Sequence, residues 1–135
     1  MSTALHQDAD VIALATDVLG AFAAHSTSLT YASVLTDDGF EVASQHGAVA
    51  QNGGRFASIA SSLQALGEAA VRELRLGGAS SVLVFSDAGH IVQVRVEGTT
   101  LVLAALFGSG ETLGHALALA RRAASDLGRS LPRLG

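Results

Sequence analysis

The sequence predicts an α+β domain in which helices cover both faces of one antiparallel sheet. Three observations support this fold class. Strand-like segments occur in two runs with tight turns, helical segments precede, separate and follow these runs, and residues 101–107 are apolar on both faces of a strand. Antiparallel runs separated by helices are typical of α+β domains, and a strand that is apolar on both faces lies between two covering layers. The predicted element order is α-β-β-α-β-β-β-α.

Length and composition predict a single domain, residues 1–135, that associates with other chains. A chain of 135 residues can bury a core without disulfides or metal. Hydrophobic residues make up 49% of the sequence and charged residues 15%, which is a low charged fraction for a small monomer that must cover itself with polar surface. Contact with copies of the chain or with partners would cover part of the apolar excess.

Charge and cysteine content exclude several function classes. The formal net charge is -4 and the arginines are scattered, so the basic patch that nucleic-acid binding requires is missing. The absence of cysteine excludes disulfides and zinc–thiolate sites. The first residues lack the pattern of a signal peptide, and no apolar run is long enough to span a bilayer. We therefore expect a cytoplasmic protein that neither binds nucleic acid nor inserts into a membrane.

The first half of the chain begins with a helix and a hairpin. Residues 8–25 carry apolar side chains at helical spacing, with an aspartate at the capping position. Residues 29–36 and 40–44 are rich in strand formers and flank an Asp-Asp-Gly turn at 37–39, which predicts a β-hairpin. Residues 45–54 show no periodicity and predict a mobile loop.

A long helix, predicted over residues 55–78 and closed by two glycines, organises the chain. One face is apolar and is expected to lie on the domain's own core: Phe56, Ile59, Ala60, Leu63, Leu66, Ala70 and Leu74. The opposite face carries small residues, where a helix facing water usually carries Lys and Glu: Ser58, Ser62, Ala65 and Ala69. Small side chains at this spacing let a second helix approach closely, so we predict that a partner buries this second face. The alternative is a solvent face rich in alanine and serine.

Five polar residues border these two faces: Arg55, Gln64, Glu68, Arg72 and Arg75. As a solvated edge they need no partner, and Glu68 and Arg72 have the spacing of an intrahelical ion pair. If a protein docks on the helix, the five become rim contacts that set its orientation.

The second half of the chain predicts a three-strand meander and a last helix. The strands are expected over residues 80–87, 90–96 and 101–107, with tight turns between them. The helix is expected to begin with Ser109 as its N-cap and to end at Gly128 and Pro132, which leaves residues 129–135 as a tail.

The chemistry-bearing motifs have structural explanations. Residues 108–114 form a glycine-rich turn between a strand and a helix, where backbone amides could bind phosphate. The spacing is not that of a dinucleotide fingerprint, and the sequence contains no lysine. The histidines show no paired spacing for a metal and are expected at the surface. We predict no catalytic residue, no cofactor site and no metal site.

The pattern resembles the roadblock (dynein light-chain seven) family, most closely its bacterial MglB-like branch. Three segments carry the resemblance: the hairpin at 34–44 (VLTDDGFEVAS), the start of the long helix at 55–63 (RFASIASSL), and the strand at 81–84 (SVLV). The family implies a roadblock/profilin-like fold, namely a five-stranded antiparallel sheet in the order 2-1-5-4-3. It places the first and last helices on one face and the long helix on the other. Family members typically form homodimers through the third strand and the long helix.

The resemblance also implies a function. Family members usually act as noncatalytic scaffolds or regulators of small Ras-like GTPases. Together with the residue pattern, it predicts a homodimer interface formed by Ser58, Ser62, Ala65, Ala69, Val82, Leu83 and Val84. An edge strand that is apolar on both sides invites a partner strand. Two alternatives remain, a small-molecule sensor with residues 45–54 as a lid, and a nucleotide-using enzyme centred on residues 108–114.

Overall fold

A computed structural model describes residues 4–47, 53–78 and 81–131 of the chain. A short 3-10 helix at Leu5–Gln7 precedes the main elements. The helices and strands in chain order are α1 Ala9–Ala24, β1 Leu29–Thr36, β2 Glu41–His46, α2 Gly53–Glu73, β3 Ser81–Phe85, β4 Gly89–Arg95, β5 Leu101–Gly108 and α3 Leu113–Ser130. The predicted element order is confirmed.

The five strands form one antiparallel sheet in the order β2-β1-β5-β4-β3. The apolar strand β5 lies at its centre, as the sequence predicted, and β3 forms one edge. Helices α1 and α3 pack on one face and α2 packs on the other. The predicted α+β class and strand order are therefore confirmed.

The two faces of the sheet bury very different amounts of apolar surface. The α1/α3 face holds a large core that includes Leu19, Phe22, Leu103, Phe107 and Leu127. Beneath α2 the apolar cluster is small and comprises Tyr31, Leu35, Phe56, Ala57, Ala60 and Ala104, with Leu106 packed against it. Since burial of apolar area is the main stabilising term in folding, the α1/α3 face supplies most of the stability.

Helix boundaries follow local capping. The Asp8 carboxylate accepts hydrogen bonds from the backbone N–H groups of Asp10 and Val11 at 2.9 and 3.2 Å, so α1 begins as predicted. The predicted start of α3 is wrong, because Thr112 rather than Ser109 is its N-cap and accepts from His115 N–H at 3.2 Å. The helix also continues through Gly128 as far as Ser130.

Two other differences border the loop between β2 and α2. Strand β2 extends through His46, two residues further than predicted, and α2 begins at Gly53. Both extensions shorten the predicted mobile loop, of which residues 48–52 lie outside the described residues. Within the described part of the chain, no helix is long and apolar enough to cross a membrane.

The end of α2 differs from the sequence expectation. Arg75, with φ 52°, adopts the left-handed conformation that closes the helix, ahead of Gly77. Leu76 N–H donates to Val71 O at 2.9 Å and Arg75 N–H to Arg72 O at 3.2 Å, which are the two hydrogen bonds of a Schellman motif. Glycine usually occupies this position because a side chain destabilises the left-handed conformation.

Replacing Arg75 with glycine should therefore stabilise the protein. We expect Arg75→Gly to raise the free energy of unfolding by about 1 kcal/mol, because it removes the strain of a non-glycine residue at positive φ. The matched control is Arg72→Gly, which lies inside the helix and should lower stability by about 1 kcal/mol. Urea unfolding followed by circular dichroism measures both changes, and a loss of stability in Arg75→Gly would contradict the assignment.

Candidate functional site

The long helix α2 and the edge strand β3 together form the candidate site. The buried face of α2 contains Phe56, Ala57 and Ala60, which pack over β1 and β5. One turn further along, Gln64 is also buried, with 2% of its surface exposed. The sheet-facing side of α2 therefore changes from apolar to polar along its length.

This arrangement contradicts the predicted core face of α2. Ile59 is 47% exposed, Leu66 71% and Leu74 68%, although all three were expected to lie on the domain's own core. Relative to the prediction, the helix is rotated about its axis so that Gln64 and Glu68 face the sheet, where β4 provides their hydrogen-bond partners. The rotation leaves an apolar stripe exposed along the side of the helix.

A glycine brings this apolar stripe next to β3. A Cβ atom added to Gly67 would lie 2.9 Å from Val82 Cγ2, so the absence of a side chain allows α2 to approach the strand. Leu63 and Ala70 lie one turn before and after Gly67 and therefore share this side of the helix. Val82 and Val84 point toward α2, because their antiparallel partners are Gln93 and Ile91, and Gln93 contacts α2.

The exposed apolar surface is concentrated at this edge of the molecule. Among the described residues, every exposed large hydrophobic side chain except Phe40 belongs to α2, to the turn after it, or to β3. They are Ile59, Leu66, Leu74, Leu76, Leu83 and Phe85. We call the line of apolar residues along α2 and the turn after it the apolar stripe; it comprises the exposed Ile59, Leu66, Ala70 and Leu74 and the half-buried Leu63. An apolar surface of this kind is typical of an interaction site.

The small residues of α2 lie beside the apolar stripe, on the side away from the sheet. Ser58, Ser62 and Ala65 are exposed and Ala69 is half-buried. Two of the serines bond within the helix, since the Ser61 and Ser62 hydroxyls donate to Ser58 O at 3.1 and 3.0 Å. The structure therefore brings Val82 and Val84 next to the apolar stripe rather than next to the small residues.

A polar network joins α2 to β4 and to the hairpin turn. Gln93 Nε2 donates to Ala60 O at 2.9 Å and to Gln64 Oε1 at 3.2 Å. Gln64 Nε2 in turn donates to Glu68 Oε2 at 3.0 Å. Arg95 contacts Glu68 through Nε at 3.0 Å and Nη2 at 2.5 Å, and its Nη1 lies 2.7 Å from Asp37 Oδ1. This network connects the second half of α2 to β4 and to the turn between β1 and β2.

Arg95 and Gln93 were missed as site residues by the sequence analysis. The sequence contained a signal for this pairing. Gln93 and Arg95 are two residues apart and share a face of β4, and Gln64 and Glu68 are four residues apart and share a side of α2. Burial opposes the charge of Arg95, but its hydrogen bonds to Glu68 and Asp37 raise its pKa above the ordinary value. The guanidinium is therefore charged at neutral pH.

The predicted partner-binding residues separate into two groups. Gln64, Glu68 and Arg72 line a cavity of about 180 Å³ between α2 and the end of β1, with Asp37 on the opposite wall. Arg55 and Arg75 are exposed at the two ends of the helix. Glu68 forms an ion pair with Arg95 of β4. The sequence spacing had suggested only an intrahelical pair with Arg72.

A second polar cluster lies under the first turns of α2. Tyr31 Oη donates to Glu41 Oε2 at 2.7 Å, and Ser33 Oγ donates to the same oxygen at 2.9 Å. A β-bulge between Val34 and Leu35 puts Glu41 on this face of the sheet. Burial, together with the neighbouring Glu41 carboxylate, raises the pKa of Tyr31 to about 12.

The alkaline titration of Tyr31 provides a direct test of this burial. Tyr31 is the one tyrosine in the sequence, so phenolate absorbance reports it alone. We expect titration at about pH 12 in the native protein and near the ordinary value of 10.0 in urea. Because the folded pKa is raised, stability should fall as pH rises through this window, by about 3 kcal/mol in total.

Tyr31→Phe is the control for this titration. The variant should lose both the absorbance change and the decrease in stability, since the chain has no lysine or cysteine to titrate in that window. A native midpoint near 10 would contradict the buried environment of Tyr31.

The glycine-rich turn uses its polar groups internally. The Glu111 carboxylate accepts from Ser26 Oγ at 2.7 Å and pairs with His115, and Gly108 N–H donates to Ser28 O at 2.7 Å. Partial burial works to raise the pKa of Glu111, but its hydrogen bonds with Ser26 and His115 lower that pKa below the ordinary value. A carboxylate thus stands at the start of α3, where a bound phosphate would experience repulsion.

One histidine contradicts the expectation of surface positions. His90 is 4% exposed, its Nε2 lies 3.1 Å from Glu111 O, and its ring stacks on Phe85 with centroids 4.6 Å apart. Sequence could not reveal this burial, since the covering groups come from β3 and the turn before α3. No cluster of three or more potential metal ligands occurs within residues 4–47, 53–78 and 81–131.

Comparison with solved structures identifies the fold. A Roadblock/LC7 domain from Streptomyces avermitilis superposes with a TM-score of 0.72 over 83% of this chain and 92% of that chain, at 20% identity. The gliding protein MglB from Thermus thermophilus gives a TM-score of 0.75 over 96% and 92% of the two chains, at 17% identity. The chain has the roadblock fold. Profilin IA from Acanthamoeba castellanii is more distant, with a TM-score of 0.56 over 86% and 98% of the chains at 13% identity.

The roadblock fold confirms the resemblance drawn from the hairpin, the long helix and the strand that follows it. No family model matches the sequence, and no curated protein matches it. At these identities the comparisons establish the architecture, and the function must be argued from the surface.

Proposed function

We propose that this protein is a noncatalytic, homodimeric scaffold or regulator that binds a small Ras-like GTPase through α2. The observation that carries the proposal is the exposed apolar stripe of α2 beside the open edge strand β3. A surface of this kind is unfavourable in water and is typical of an interface between proteins.

The homodimer is favoured by the combination of an open strand edge and an adjoining helix. An unpaired edge offers backbone N–H and C=O groups to another strand, and Val82 and Val84 are half-buried beside α2. Pairing of β3 with its copy would bring the apolar stripes of two α2 helices together around a twofold axis. We propose the apolar stripe as the centre of this interface and the small residues Ser58, Ser62, Ala65 and Ala69 as its margin.

The GTPase partner is supported by the roadblock fold and by the polar side of α2. The resemblance implies noncatalytic regulation of small Ras-like GTPases. In the proposed dimer, the cavity lined by Gln64, Glu68 and Arg72 stays on the side of α2 away from β3. This placement leaves the three residues available to a third protein as orienting contacts.

Two arginine substitutions separate the possible dimer faces of α2. Leu66→Arg places a charge in the apolar stripe, and Ala65→Arg places the same charge on the adjacent small-residue face. Both positions are exposed, so neither change should unfold the monomer. We expect Leu66→Arg to dissociate the dimer in sedimentation analysis and Ala65→Arg to weaken it less, because buried unpaired charge is most costly at the centre of an interface.

If Ala65→Arg weakens the dimer more than Leu66→Arg does, the small residues form the centre of the interface instead. If both variants keep the native oligomeric state, α2 does not form the dimer interface. A monomeric wild-type protein at high concentration would contradict the proposed homodimer itself.

GTPase binding is tested with an immobilised protein and lysate loaded with either GDP or a nonhydrolysable GTP analogue. We expect a Ras-like GTPase to be retained, and we expect Arg72→Glu to weaken binding of the purified GTPase about tenfold or more. The matched control is Arg122→Glu, an exposed arginine of α3 on the opposite face of the sheet. Equal binding by both variants, or retention of no GTPase, would argue against the proposal.

A further inference from the structure

The two halves of α2 are held to the sheet by different interactions. Its first half, around Phe56 and Ala60, packs on the small apolar cluster. Its second half presents Gln64 and Glu68 to β4, where polar contacts add to the close approach of Gly67 to Val82. Polar contacts of this kind contribute to stability only while each charged group keeps its partner.

One cation satisfies both carboxylates of this network. Arg95 lies 2.5 Å from Glu68 on α2 and 2.7 Å from Asp37 in the hairpin turn, and its own side chain is 19% exposed. Three elements, β4, α2 and the β1–β2 turn, therefore meet at one guanidinium. The planar guanidinium can bind both carboxylates at once, whereas a lysine ammonium has no equivalent geometry.

Removal of the Arg95 guanidinium would affect α2 more than the turn between β1 and β2. The Asp37 side chain is 53% exposed and can be hydrated where it stands. The Glu68 side chain is 23% exposed, so without Arg95 its carboxylate would be left partly desolvated against the sheet. Relief of this partial desolvation would favour movement of the second half of α2 away from β4.

We propose that Arg95 is a positioning residue that fixes the rotation and height of α2 on the sheet, and thereby the alignment of the apolar stripe with β3. It acts through Glu68 and does not itself touch the proposed partner. The consequence for dimerisation rests on the proposed function, whereas the positioning of α2 can be measured in either oligomeric state.

Amide hydrogen exchange of the intact protein tests the positioning role. We expect Arg95→Met, which keeps an apolar stem and removes the charge, to speed exchange in the second half of α2 by about tenfold or more, through local opening. Exchange in α1 and α3 should stay within about twofold of the wild type, because their core lies on the other face. Arg121→Met, at an exposed position of α3, is the matched control and should leave α2 unchanged.

A second substitution separates positioning from simple loss of stability. In the double variant Arg95→Met with Glu68→Met, two apolar side chains replace the ion pair, so we expect α2 protection to return toward the wild-type level. Arg95→Lys should restore it only in part. Equal acceleration in α1, α2 and α3, or no rescue by Glu68→Met, would overturn the proposal.

Sedimentation of the same variants tests whether the position of α2 affects the proposed dimer interface. If the wild type is dimeric, Arg95→Met should weaken the dimer and the Glu68→Met rescue should restore it. If the wild type is monomeric, the proposed homodimer is wrong. The exchange pattern still decides whether Arg95 positions α2.

Discussion

The polar underside of α2 is the constraint on which the candidate site depends. Gln93 and Arg95 on β4 lie beneath α2 and need polar partners there, because buried polar groups without partners are strongly unfavourable. Gln64 and Glu68 provide these partners. This requirement sets the rotation of the helix about its axis. The side chains that would otherwise have covered the sheet are turned outward and become the apolar stripe next to β3.

The unequal faces of the sheet give this constraint its functional meaning. The α1/α3 face contains the large core and stabilises the domain. The α2 face has a small apolar cluster, a polar network and an exposed stripe, and is therefore suited to interaction rather than to stability alone. Gly67 completes the arrangement, since its lack of a side chain lets the helix lie close to the edge strand.

The candidate site was predictable in part. The family resemblance implied that Val82 to Val84 lie in an edge strand, and the sheet order confirms this edge position. The face of α2 could not be assigned correctly, because hydrophobic periodicity favours the more apolar side as the buried side. Arg95 was missed for a related reason, since its partners lie 27 residues away on α2 and on a separate turn.

The sequence by itself determined the element order, the hairpin, the central position of β5 and the α+β class, since these follow from local periodicity and turn chemistry. Local rules also located the start of α1 at Asp8. Tertiary structure alone decided which side of α2 is buried and the burial of His90. Both depend on groups distant in sequence, and packing energy exceeds local propensity when the two disagree.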